Sequence, residues 1–216
     1  MTQVKQRDHV THGVRSSIMP RKRQVGLAGI ETRDRILRVA AELFTRRSYA
    51  GTTTRQIAEE VGIQQPSLFY HFPTKAHIVD ALLEWDLGKV MPLLRKLNSI
   101  EGPAAVRLYA YLAFDIDHLM NSPYSLIGLY SEDVMGDERF VTWSELIDER
   151  RTIVTQTVQQ GIEEGSLMPV SAALASETIT GVILGVLTFH SGAGDQEQVD
   201  RDAVVSIVLR GLLRNP

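Results

Sequence analysis

The chain contains no cysteine, which removes disulfides and thiolate zinc sites together. Its longest mainly apolar stretch, Ile179 to Phe189, is too short to span a bilayer and is interrupted by Gly181, Gly185 and Thr188. The N-terminus lacks the apolar core of a secretory signal, so a cytoplasmic location and no membrane association are expected. No run alternates apolar and polar residues as a half-buried strand does, and no repeat of about 20 to 50 residues is evident. Nor is there a nucleophile elbow of a Ser-His-Asp enzyme. Gly192-Ala193-Gly194 has neither the strand nor the lysine of a phosphate-binding loop. No catalytic residue and no cofactor is therefore assigned, and the expectation is a protein that is not an enzyme.

What is present suits a packed helical protein. The chain has 216 residues, enough for one or two domains, and 44% are hydrophobic, ample for a core. The net charge of −3 is unevenly spread. Residues 1 to 75 hold 13 Lys/Arg against 6 Asp/Glu, a net of +7, while residues 76 to 216 hold 10 against 20, a net of −10. Neutralising phosphates needs local cations and not a basic whole, so the asymmetry points the first third toward nucleic acid. Residues 1 to 30 carry Lys5, Arg7, Arg15, Arg21, Lys22 and Arg23 with no sustained apolar period. They read as an arm that either follows the duplex or is simply a solvated tail.

The segment Thr53 to Lys75, TTRQIAEEVGIQQPSLFYHFPTK, is the most informative in the chain. Thr53 caps a first helix with Gln56 completing a capping box, and Ile57, Ala58 and Val61 form one apolar face. Gly62 stops it. Pro66 reads as the first position of a second helix, which makes Gln65 its cap residue. Glutamine is a poor cap, and local rules tend to be broken where a side chain has another task. Glutamine can pair bidentately with adenine, so Gln65 becomes a base-reading candidate. Leu68 and Phe72, at i and i+4, belong to the core. The arrangement is a helix-turn-helix able to place its second helix in the major groove.

These residues resemble the DNA-binding helices of the tetracycline-repressor (TetR) family. The resemblance covers roughly residues 31 to 80: Ile36, Ala40, Leu43 and Phe44 of a preceding helix, the Tyr49-Ala50-Gly51 turn, Thr52 to Thr54, and the Phe72-x-x-Lys75 ending. Two departures stand out. Phe69 occupies the place where the family usually has a phosphate-binding tyrosine, a role that passes to Tyr70, and Gln64 stands where many members have a serine cap. The candidate DNA-binding set is Thr53, Thr54, Arg55, Gln65, Pro66, Ser67, Phe69, Tyr70, His71 and Lys75. Lys75 is expected to hold a phosphate beside a helix N-terminus.

Beyond the head, from residue 76 to 216, every pattern is helical. Thr74 caps a helix through Ile78, Leu82 and Trp85 toward Leu97, in which Pro92 predicts a kink or break near Val90 or Met91. Further patterns run from Gly102-Pro103 to Asn121, over Tyr124 to Tyr130, from Glu138 to Gly165, from Ser171 to His190 and from Asp195 to Leu213. The predicted fold is all-α, with three helices in a DNA-binding head (residues 31–75) and about six in a body.

Gly181 and Gly185 form a small-residue ridge which, with Val204, Ile207 and Val208, either packs within one subunit or, as the resemblance implies, builds a four-helix bundle with a second copy. The resemblance also implies a small-molecule site in the body, for which Phe114, His118, Trp143, Ile147 and Phe189 are the candidates, plain core packing being the alternative for each. Asp115 and His118 supply only two ligands, short of a zinc site, so no metal is assigned. The function read from these features is a ligand-responsive homodimeric repressor that binds a palindromic double-stranded operator and is released by an effector. An architectural DNA-binding protein of the same fold without an effector is the alternative, and an enzyme on this scaffold a third.

Overall fold

The structure, a computed structural model, describes residues 27–192 and 200–213. The expected basic arm lies outside the described residues up to position 26. Helix α1 (Leu27–Arg47) begins four residues before the expected boundary and buries Ile36, Leu37, Ala40, Leu43 and Phe44. Helices α2 (Thr54–Val61) and α3 (Gln65–His71) complete the head. Local chemistry sets their ends. The Thr53 side chain accepts from the Gln56 N–H while the Gln56 side chain accepts from the Thr53 N–H. Gly62 closes α2 in the left-handed conformation at φ 77°, which glycine adopts without steric cost.

Helix α4 (Lys75–Ser99), capped by Thr74, leaves the head and forms the first wall of the body. It runs unbroken through Pro92, contrary to the expected break. Pro92 is exposed, whereas Leu87, Val90, Met91 and Leu94 are buried and hold the turns on either side. Packing thus outweighs the one lost hydrogen bond.

Helices α5 (Ala104–Met120) and α7 (Val141–Glu163) pack on α4 and on each other. Between them in sequence lie a 3₁₀ turn (Ile127–Tyr130), the one-turn α6 (Glu132–Met135) and a second 3₁₀ turn (Glu138–Phe140). Helix α8 (Ala172–Gly192) covers α7 and α5, and α9 (Arg201–Arg210), capped by Asp200, covers α5. No strand is formed among the described residues, and the sole bridge pairs Leu167 with Leu213. The fold is all-α, as the sequence predicts.

Helix α8 is longer than the apolar stretch read from sequence. Its window Ala172–Phe189 is long and apolar enough, by length and composition, to cross a membrane. One side of that window, Ala175, Ile179, Ile183, Val186 and Leu187, is buried in the body. The other side is exposed and is considered below.

Head and body share one hydrophobic cluster, from Ile36 in α1 to Leu209 in α9. The joint is the segment from Ser122 to Phe140, which lies against α1 and the turn after it. A Cβ on Gly128 would stand 2.6–2.9 Å from the backbone of Phe44 and Thr45, so the two chains meet main chain to main chain. Around this contact the Tyr124 hydroxyl donates to Asp34 (2.8 Å), the Thr45 and Ser125 hydroxyls are 2.9 Å apart, and the Ala50 N–H donates to Asp133 (2.7 Å). Burial, then the bond to Asp34, pushes the Tyr124 phenol up to about 12, so it stays a donor. The rings of Tyr49 and Phe140 meet edge to face at 5.5 Å. Because backbone on both sides cannot yield as a flexible side chain does, Gly128→Ala is expected to cost about 1–3 kcal/mol, read from urea denaturation. An unchanged midpoint would show that the turn is free to move off α1.

Candidate nucleic-acid interface and body cavity

Helix α3 presents its sequence as the helix-turn-helix reading requires. Leu68 and Phe72 are buried beneath it, while Pro66, Ser67, Phe69 and Tyr70 face outward and His71 is half-buried. Tyr70, 69% exposed, is the most open ring of the head, and the His71 ring meets it edge to face at 5.3 Å. The cap, however, is Gln64, which makes no side-chain capping bond; Gln65 is already the first helical residue and Pro66 the second. The register is corrected by one residue because proline is tolerated throughout the first turn, where its missing N–H has no intrahelical partner. Gln65 has a different bond: its Nε2 donates to Thr54 Oγ1 at 2.9 Å, tying the starts of α3 and α2 together. Among the described residues no further hydrogen bond engages its amide group.

Thr53 is engaged in its capping box, and Arg55 is exposed, its guanidinium bonded to Glu59 one turn on. That bond raises its pKa, so Arg55 remains a cation at the surface. Lys75 is placed differently from expectation. Its ammonium turns inward, donating to the carbonyls of Tyr49 (2.6 Å) and Thr52 (2.7 Å), and lies 4.0 Å from the centre of the Tyr49 ring. Burial, then the nearby Arg139 charge, lowers its pKa. The carbonyls of the turn between α1 and α2, and the face of the Tyr49 ring, hold the ammonium, so Lys75 fastens that turn and is not free at the surface.

The body holds a cavity of about 380 Å³ between α5, α7 and α8. Its apolar lining includes Leu119, Met135, Ile147, Val154, Ile179 and Ile183, and its polar side includes Tyr111, Tyr130 and Arg150. Of the five residues expected from sequence, Ile147 lines this space. His118 stacks on Trp85 at 4.3 Å with Asp86 3.4 Å away, and the Phe114 ring lies near-parallel to it at 6.1 Å. Trp143 Nε1 donates to Asp80 (2.9 Å), and Phe189 is on the outer side of α8. Asp115 accepts from Tyr111, and among the described residues no group of three or more His, Asp or Glu side chains is gathered to hold a metal.

Sequence reasoning missed the polar side of the cavity. Tyr130 donates to buried Asp86, Tyr111 donates to buried Asp115 (3.0 Å), and Arg150 stands 3.8 Å from Asp115. One signal was available: Arg150 falls in the apolar register of α7 between Ile147 and Val154, and Asp86 and Asp115 fall likewise within the buried stripes of α4 and α5.

On the outer side of α8, Leu174, Thr178, Gly181, Gly185 and Phe189 are exposed, and a Cβ added at either glycine would meet nothing within 4 Å. Ile207 of α9 is 71% exposed, Val204 is half-buried and Val208 is buried.

Comparison with known proteins agrees with this geometry. A family model described as bacterial regulatory proteins, tetR family, matches residues 36–82. The transcriptional repressor KstR2 of Rhodococcus jostii is 32% identical over 142 residues, covering 62% of this chain and 67% of that protein. The crystal structure of AmtR from Mycobacterium smegmatis, 30% identical, superposes with a TM-score of 0.63 over 92% of this chain and all of that one. AibR, crystallised with isovaleryl coenzyme A and operator DNA, shares the fold at 19% identity and a TM-score of 0.65, over 84% of this chain and 98% of that one. The likeness thus runs through the head and on into the body, and the chain belongs to the TetR family, helix-turn-helix transcriptional repressors that bind DNA.

Proposed function

We propose that the protein is a homodimeric repressor of a palindromic operator that lets go of DNA when a small molecule fills the body cavity. The observation that carries this reading is the 3₁₀ turn Ile127–Tyr130. Its last residue, Tyr130, lines the cavity, and its second, Gly128, rests on the backbone of α1 in the head. A ligand that displaces Tyr130 acts on an element in van der Waals contact with the DNA-binding unit. To release DNA it must bind the incompetent arrangement better than the competent one, since equal affinity shifts nothing. AibR, which shares this fold, was crystallised with isovaleryl coenzyme A and operator DNA, so a small molecule and DNA are both bound by a protein of this architecture. An architectural protein with no effector would not need a cavity that touches the joint. A cytoplasmic location accords with this role.

The exposed side of α8 supports the dimer. Leu174 and Phe189 flank a strip of Gly and Thr on α8, and Ile207 of α9 is exposed as well, surface on which a second copy's helices could approach closely. Two-fold pairing would set two recognition helices on half-sites about 34–36 Å apart. Since the space over Gly185 is open within one chain, Gly185→Leu is expected to leave the subunit's fold intact and to weaken the dimer. Near-unchanged helical circular dichroism reads the first effect and sedimentation at micromolar concentration the second. A wild-type monomer under the same conditions would remove the symmetric-operator model.

In the head, Gln65 and Lys75 should part company. Gln65→Ala is expected to cost about 1–3 kcal/mol on the true operator and much less on a site altered at the contacted base. Equal losses on every sequence would reduce Gln65 to its bond with Thr54. With its ammonium inside the head, Lys75→Met should leave the salt dependence of operator binding nearly unchanged while lowering thermal stability. A salt slope reduced by about one per subunit would instead return Lys75 to the phosphate contacts.

A further inference from the structure

Arg150 is the one cation on the cavity wall that is nine-tenths buried. Among the described residues no hydrogen bond reaches its guanidinium; its nearest acid, Asp115, is 3.8 Å away, within Coulombic range and beyond hydrogen-bond range. A buried ion pair offsets its desolvation only with close, well-bonded geometry, and this one lacks it. Burial opposes the charge, but the neighbouring acidic groups, the carboxylates of Asp115 and Asp86 among them, outweigh it and raise the pKa, so Arg150 is a cation.

Every other polar group around it is directed elsewhere. Tyr111 and Tyr130 donate to Asp115 and Asp86, Ser144 donates to the Met135 carbonyl, and Thr180 donates to the Ser176 carbonyl. His118 faces Asp86, and neither it nor the two acids is among the residues lining the cavity. At the mouth, Arg151 is held by Asp148 (3.1 Å) on its own helix and by Glu177 (3.0 Å) on α8. The cavity therefore offers one uncommitted planar set of donors at its inner end and an aliphatic lining from α7 and α8.

We infer that the effector is an amphipathic organic anion, its carboxylate paired with Arg150 and its apolar body lying between α7 and α8. Guanidinium and carboxylate match as a planar fork, so the pairing selects a carboxylate over a neutral hydroxyl. A volume of about 380 Å³ lies toward the small end of ligand pockets, which run to about 300–1,000 Å³, and suits a chain of medium length. This inference rests on the effector-cavity reading above and names the chemistry of that site.

Calorimetric titration of the full-length wild-type protein with decanoate, decan-1-ol and decyltrimethylammonium, at neutral pH and below their micellar concentrations, tests it. Decanoate should bind at least about tenfold more tightly than the alcohol, the ammonium compound least. Arg150→Met should erase that preference and leave alcohol binding near wild type. Because removing Arg150 leaves the buried Asp115 without its counter-charge, at a cost to the fold, the wild-type selectivity is the primary readout. Arg150→Lys, which keeps the charge and loses the fork, should retain part of the preference. Alcohol binding as tight as decanoate in the wild type overturns the inference, as does the absence of binding by all three at millimolar concentration. Operator binding measured alongside separates the two readings. Release by the alcohol alone would keep the effector cavity and discard the anion. Selective decanoate binding with unchanged operator affinity would keep the anion site and discard its role as inducer.

Discussion

The contact on which the rest of the structure depends is the seating of the Gly128 backbone on α1. Side chains between two elements can repack when one of them shifts, but main chain against main chain leaves no such slack. With Gly128 in place, Tyr124 reaches Asp34, Ser125 reaches Thr45, Asp133 reaches Ala50, and Phe140 meets Tyr49. These contacts merge what the sequence divides at residue 75 into one hydrophobic cluster. A DNA-binding head on an independent core would respond weakly to events in the body. Here the same short turn is both a wall of the cavity and the floor under α1.

The second constraint is the polar layer inside the body. Asp86, Asp115, His118 and Arg150 come from α4, α5 and α7 and are all buried. Desolvating such groups costs several kcal/mol each, and a hydrophobic set of similar volume would stabilise the body at least as well. The layer is also incompletely bonded: among the described residues, one oxygen each of Asp86 and Asp115, and Nε2 of His118, have no hydrogen-bond partner. Such an arrangement fits a body that rearranges around a guest better than one selected for stability alone. Tyr130, bonded to Asp86, connects this layer to the turn on α1.

The head was largely legible in the sequence because its determinants are local. The capping box at Thr53, the left-handed Gly62, the Thr74 cap and the buried Leu68 and Phe72 each need only a few neighbouring residues to be read. What failed there depended on tertiary contacts. Gln65 bonds to Thr54 eleven positions away instead of capping its helix, and Lys75 is drawn to carbonyls 23 and 26 positions upstream. Pro92 is carried within α4 by packing that propensity cannot see. In the body the helices were readable from their periods, but their rotations were not. Ile147 faces the cavity while Trp143, one turn earlier, bonds Asp80 on α4. A search for aromatic residues led away from Arg150, whose charge within an apolar stripe was the more telling feature.

The coupling of cavity to head can be probed without knowing the effector by filling the space permanently. Ile183, buried on the α8 wall of the cavity, can be replaced by tryptophan and operator affinity measured at fixed salt, with sedimentation and thermal melting verifying a folded protein of wild-type assembly. The account predicts affinity reduced by at least about tenfold, a coupling within the usual range of allosteric systems. Wild-type operator affinity in a folded Ile183→Trp protein whose cavity no longer admits a ligand would contradict it.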